Sequence, residues 1–282
     1  MSLHFYFILL MLGIASGAAA QSRLPSIDFD KQIGADAERE ILEDPKEYPI
    51  LPKKGNEAVY NYLEKIKTNI LNSGKVTHAK DFDWTLHVID DPNTINAFAT
   101  PGGYIYIYTG LIHFVDNEAA LAGIIAHEMA HADRRHSVQQ MRKDARSRLL
   151  KRRRGGDDGR VLGQLRSLRY DRTHESDADE YAVIYICATN YHAPSITGFF
   201  EKMANEGGRQ RPQFLSTHPN NDNRVEAMNA KIKEIGYSGT VKNTSGHEQI
   251  QADLPSVAVS ASSSKEPPHK RLPFRERRGP LR

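Results

Sequence analysis

The residues with the clearest chemical potential lie in LAGIIAHEMAHADRRH, Leu121 to His136, where three histidines and a glutamate interrupt a run that otherwise reads as buried helix. Residues four apart share a helix face, so His127 and His131 present two imidazoles to one point. Glu128 sits on the flank, where it reaches a water beside an ion more easily than the ion itself. H-E-x-x-H therefore supplies two metal ligands and a general base from one rigid element, the equipment of metal-assisted hydrolysis. The alternative is a pair of satisfied core histidines. Against it, Ala119 to Ala126 contains no charged residue, which makes the helix apolar all round, and ionisable groups there are costly unless paired or metal-bound.

A catalytic zinc needs a third protein ligand and an open fourth position. His136 does not fit. The metzincin pattern places glycine at 134 and histidine at 137, whereas here they are Arg134 and Ser137, and the helix is expected to continue through this region. His136 is read as a supporting or helix-end residue. The better candidate lies in HESDADEYA, His174 to Ala182, where Glu175 and Asp179 stand four apart on a second helix. Glu175 closes a His-His-Glu set, and Asp179 accepts a hydrogen bond from a ligand histidine and holds its tautomer. His174, Asp177 and Glu180 stay open as alternative ligands, because acidic pairs at this spacing usually form solvated faces.

These residues need a scaffold. Asp28–Asp44 and Asn56–Gly74 read as amphipathic helices, the second with Val59, Leu63, Ile66 and Ile70 at helical spacing. Strands are expected over Asp83–Asp90, Thr94–Thr100 and Tyr104–Thr109, with Pro101-Gly102-Gly103 as the turn between the last two. Tyr104, Tyr106 and Tyr108 alternate and fall on one face as packing residues. Asp116 is the expected N-cap of the motif helix, with Glu118 in its first turn. A second long helix is expected from Val161 to Ala188, and shorter ones over Ser195–Asn205 and Asp222–Ile235. The pattern is α+β: mostly helical, with a small sheet.

The ends differ from the middle. Phe5 to Ala20 is apolar and uncharged and closes on small residues before Gln21, which reads as a secretory signal peptide over residues 1–20, with an uncleaved membrane anchor as the alternative. Cys187 is the one cysteine among 282 residues. No intramolecular disulfide and no thiolate cluster can form, and Cys187 is read as a helix core residue. Between Arg142 and Arg172 lie twelve Lys/Arg against four Asp. This segment joins the two ligand-bearing helices and reads as a solvated connector, or as a lid or recruiter of acidic substrates. From Tyr237 onward the Ser, Pro and Arg-rich chain is expected to be a disordered tail that at most touches a membrane surface. No nucleic-acid motif accompanies the basic residues, so no nucleic-acid partner is expected.

HEMAH, then ESDAD some forty residues later, then STHPNNDNR at Ser216 to Arg224, together resemble the gluzincin peptidase family of the Ste-type CAAX prenyl proteases, HtpX, BepA and the Oma proteases. Asn96 to Ile112 is similar to the stretch that precedes the motif helix in that family, and the likeness runs from Ile33 to Ile235. It implies a zincin-like (minigluzincin) metallopeptidase domain over residues 21–236 and one zinc ion held by His127, His131 and Glu175. Glu128 is implied as catalytic base and Asp179 as the aspartate behind the ligands. His218 is implied either to approach and shut the site or to assist the transition state; from the residues alone a turn role in Thr-His-Pro is equally open. Arg224 is implied as structural or oxyanion-assisting, and Asn96, Ala97, Phe98 and Ala99 as the strand that binds an extended substrate. The implied activity is endopeptidase action on unfolded or extended proteins, as quality control of misfolded or unassembled proteins in a periplasmic or other envelope compartment. A zinc-binding, chaperone-like protein without turnover is the alternative, and Glu128 argues against it.

Overall fold

The structure, a computed structural model, describes residues 24–151, 160–168, 170–206, 213–218, 223–244 and 246–254. The expected signal peptide, residues 152–159 of the basic connector and residues 255–282 lie outside them. The helix α1 (Ile27–Leu42) begins with Asp28 and Asp30 in its first turn and buries Ile33, Ala37 and Ile41, one stripe at four-residue spacing. Helix α2 (Glu57–Leu71) buries Val59, Leu63, Ile66 and Ile70 in the same way.

Three short strands follow: β1 (Leu86–Ile89), β2 (Ala97–Thr100) and β3 (Tyr104–Tyr108). The order is β1-β3-β2, with β1 parallel and β2 antiparallel to β3, so β2 is an edge strand. Each strand is shorter than expected. The β2–β3 turn is built on Gly102 and Gly103, at φ +81° and +90°. A Cβ on Gly103 would also stand 3.0 Å from the Phe82 side chain, so the turn needs glycine for space as well as for backbone freedom. The alternation of the strands separates two cores. Leu86, Val88, Ala97, Ile105 and Ile107 face the larger one, whereas Ile89, Tyr106 and Tyr108 pack with Ile41, Tyr48 and Leu162 on the other face.

After the short α3 (Thr109–Phe114), α4 (Glu118–Asp133) carries the motif, and all sixteen of its residues are buried. Its N-cap is Asn117, not the expected Asp116: the Asn117 side chain accepts from the Ala120 amide at 2.9 Å. Asp116 instead pairs with Lys202. Glu118 complements the helix N-terminus and accepts from the Tyr191 hydroxyl at 2.8 Å and the Thr244 amide at 3.0 Å. Asp133, at the unfavourable C-terminal end, is held by the amides of Thr77 (3.0 Å) and His78 (2.6 Å) and by the Tyr185 hydroxyl.

The motif helix does not continue through His136. Arg135 adopts φ +61°, and α5 (His136–Lys151) starts anew. Arg135 holds this uncommon conformation while its guanidinium pairs with buried Asp30 at 2.6 Å. The expected long helix is likewise two, α6 (Val161–Ser167) and α7 (Arg172–Cys187), the latter N-capped by Asp171. Then follow α8 (Ser195–Glu206), α9 (Gln213–Thr217), α10 (Arg224–Ile235) and α11 (His247–Asp253).

The tail boundary at 237 also requires correction. Val241 bridges Tyr191, Thr244 bonds Glu118, and Ile250 and Leu254 are 5 % and 3 % exposed in the larger core. Three apolar residues spaced over a polar stretch gave too little periodicity to show this. Among the described residues no helix is long and apolar enough to cross a membrane.

Candidate metal centre

Helix α4 crosses α7 at the middle of the larger core, and α9 with the start of α10 closes over them. From these elements His127, His131, Glu175 and His218 each bring one ligand-type atom into a group whose members lie within 4.8 Å of one another, all buried. His127 Nε2 is 3.1 Å from His131 Nε2 and 3.3 Å from His218 Nδ1. Glu175 approaches His127 and His131 at 3.6 Å each and His218 at 3.2 Å.

Zinc bonded to nitrogen and oxygen at about 2.0–2.2 Å in a tetrahedron has ligand atoms about 3.3–3.5 Å apart. The observed separations bracket that. Hydrogen bonding alone does not account for the cluster, since Glu175 Oε2 is buried with no hydrogen bond, its nearest donors being Arg224 at 3.5 Å and His127 at 3.6 Å. The chemistry of the donors, two or three imidazoles and a carboxylate, suits zinc. Burial alone would raise Glu175, but His218, His127 and His131 hold its carboxyl far below the usual range.

The residues behind the cluster fix its tautomers. His127 Nδ1 lies 3.0 Å from Asp179 Oδ1, which also receives Arg224 at 2.6 Å. With Nδ1–H donating to Asp179, His127 Nε2 keeps its lone pair for the cluster. Arg224 lies over the Phe200 ring at 3.9 Å, so it braces the aspartate from a packed position. His131 Nδ1 lies 3.1 Å from His136 Nδ1, and His136 Nε2 lies 3.0 Å from Asp177 Oδ2. The consistent assignment is a relay in which His131 donates to His136 and His136 donates to Asp177. Burial alone would raise Asp177, yet His136 and Arg134 hold it down to about 2.

The break at Arg135 is what lets His136 turn back onto His131. Of the three alternative ligands, Asp177 thus stands behind His131, Glu180 pairs with Lys231 at 2.9 Å, and His174 packs on the His136 ring.

Glu128 lies beside the cluster, 3.4 Å from His218 Nε2, and neither of its buried oxygens has a hydrogen-bond partner. Burial pushes its carboxyl up to about 8. It faces a cleft of about 300 Å³ bounded by Asn96, Phe98, Ala99 and Thr100 on one side and by α6 and Tyr170 on the other. Tyr108 N donates to Asn96 O, so the alternation of an antiparallel ladder turns the N–H and C=O of Ala97 and Ala99 to the open edge of β2.

Two aromatic residues at the centre had no signal in the sequence. Tyr170 stacks on His131 at 4.2 Å and bonds Ser137, and Phe214 stacks on His218 at 4.5 Å. Each is a lone aromatic beside a polar segment, with no spacing to connect it to the motif.

Residues 58–232 match peptidase family M48. The chain is 28 % identical over 220 residues to the mitochondrial metalloendopeptidase OMA1 of Schizosaccharomyces pombe, covering 74 % of this chain and 63 % of the relative. It is 26 % identical over 253 residues to the beta-barrel assembly-enhancing protease of Yersinia pestis, covering 80 % and 52 %. Against the mitochondrial metalloendopeptidase OMA1 of Saccharomyces cerevisiae it is 28 % identical over 222 residues, covering 70 % and 60 %. The chain spans less than two thirds of each of these relatives.

Proposed function

Because the chain belongs to peptidase family M48, we propose that it is a zinc-dependent metalloendopeptidase that cuts extended segments of protein chains. The observation that carries this is the meeting, at one cleft, of a zinc-compatible cluster, a buried carboxylate with no hydrogen bond and an open strand edge. His127, His131 and Glu175 hold the ion. When bound, zinc supplies Lewis acidity toward water and the peptide carbonyl. Glu128 takes the proton of the attacking water and delivers it to the leaving amine nitrogen. The substrate lies along β2 as an added strand, bonded to the outward N–H and C=O of Ala97 and Ala99, which selects unfolded segments over folded ones. Asp179 and the His136–Asp177 pair keep the ligand histidines in the metal-binding tautomer, and Arg224 holds Asp179 in place.

His218 occupies the remaining corner of the cluster, where a catalytic site needs an open position. This arrangement is a shut form, and turnover requires His218 to withdraw. A four-ligand site of this kind would also suit a zinc-bound holding protein without turnover. The buried carboxylate of Glu128, which makes no hydrogen bond, favours the peptidase, since a purely structural site has no use for it.

The apolar N-terminal stretch and the relative named as a beta-barrel assembly-enhancing protease support an envelope compartment, with peripheral membrane contact at most, and the family resemblance supports misfolded or unassembled proteins as substrates. The test is casein hydrolysis before and after chelation. Loss with the chelator and recovery on adding one equivalent of zinc supports the reading, and hydrolysis that survives complete zinc removal contradicts it.

A further inference from the structure

The cleft has a second wall that the peptidase reading leaves unused. Helix α6 is a short piece within the basic connector, and it carries Leu162, Leu165 and Leu168, counting its C-cap, on the side that lines the cleft. Opposite them Tyr48, Phe98 and Tyr108 form an aromatic floor. Phe98 stacks on Tyr106 with centroids 4.6 Å apart and meets Tyr48 edge-on at 6.3 Å. Leu162 is 9 % exposed and belongs to the core under this face of the sheet, whereas Leu165 and Leu168 are only half-buried beside the open space.

The wall is held deliberately in place. The Arg160 side chain makes no cap, and the first amides of α6 instead donate to Glu40 of α1: Val161 at 3.0 Å and Leu162 at 2.8 Å, one to each carboxylate oxygen. A two-point clip from another helix fixes a segment too short to be stable alone.

We propose that Leu165 and Leu168, positioned by the Glu40 clip, form with Phe98 an apolar subsite that selects an aliphatic or aromatic side chain of the substrate. The inference deepens the peptidase reading and rests on its placement of the substrate along β2. Side chains of an added strand alternate between the two faces of the sheet. Those on the face of Ala97 and Ala99 look toward α4, and those on the face of Phe98 enter the space between the aromatic floor and the leucines. A polar side chain held against Leu165, Leu168 and Phe98 loses water and gains no hydrogen-bond partner from their side chains, while an apolar one buries its surface. Glu128 and His218 line the same cleft, so the selected residue lies close to the bond that is cut.

The test is separable from turnover. Zinc-loaded Glu128→Gln would be titrated with a labelled ten-residue Ser/Thr peptide carrying one central leucine, and with its all-Ser/Thr counterpart. The leucine peptide is expected to bind about tenfold or more tightly. In the same background Leu165→Ser with Leu168→Ser is expected to bring the two peptides within about threefold of each other, with zinc content and melting temperature retained. Glu40→Gln, which leaves every leucine present, is expected to lower the ratio as well. Equal binding of the two peptides by Glu128→Gln, or a ratio unmoved by the leucine substitutions, overturns the subsite. If the unsubstituted protein cuts casein while the peptides bind alike, the subsite fails and the peptidase stands. If it cuts nothing while discrimination is present, the converse holds.

Discussion

Each of the two histidines proposed as ligands has a carboxylate behind it, but the two are reached differently. His127 touches Asp179 directly, whereas His131 reaches Asp177 through His136. Loss of such an outer partner typically lowers metal affinity 10–100-fold. Asp177→Asn is therefore expected to weaken zinc binding about tenfold in chelator competition, and unchanged affinity would show the relay to be incidental. His218 closes the cluster on its fourth side, so His218→Ala is expected to raise casein turnover severalfold at saturating zinc. A fall instead would place His218 among the groups that stabilise the transition state. Most of this scale was legible in the sequence. His127, Glu128, His131, Glu175 and Asp179 follow from ligand chemistry and helix spacing, and the resemblance added His218 and Arg224. The role of His136 was legible only as support, because its approach to His131 depends on the positive φ of Arg135, for which the residue type gives no warning.

At the scale of elements, periodicity located the helices and strands but not the places where they stop. The Val161–Ala188 stretch reads as one helix, and the structure breaks it before Asp171, which caps α7 through the amides of Thr173 and His174, each at 3.0 Å. The break aims Glu175 at α4 and frees α6 to lie across the cleft. Burial alone would raise the Asp171 carboxyl, but Lys143 and the His174 amide hold it down to about 2. The sign follows: with the folded value below the unfolded one near 4, the stabilisation is complete above that pH and is lost as pH falls from about 4 toward 2. Asp171→Ala is expected to cost about 1 kcal/mol at neutral pH. The gap between variant and parent in denaturant titrations should narrow as the pH is taken below 4. A gap constant with pH would mean that the charge of Asp171 contributes nothing.

On the scale of the whole molecule, the C-terminal segment belongs to the fold that holds the metal centre. Glu118, at the start of the motif helix, is bonded by Thr244, and Ile250 and Leu254 join the larger core, the last helix packing against α2. Burying each such side chain is worth about 1.5–3 kcal/mol. A chain ended at Leu254 is expected to keep the full-length melting temperature, whereas one ended at Gly236 is expected to melt many degrees lower. Equal stability of the two would return residues 237–254 to the status of a tail. The sequence pointed the other way here because a polar stretch with few apolar residues looks solvated until the surface that receives it is known. The central claim is that one carboxylate beside a zinc cluster performs proton transfer at a strand-lined cleft. It is tested most directly by Glu128→Gln, with zinc content and casein hydrolysis measured on the same preparation. The account predicts one zinc per chain in both proteins and a loss of turnover of about 10²–10⁴-fold in the variant. Turnover near the parent's with zinc fully bound would contradict it.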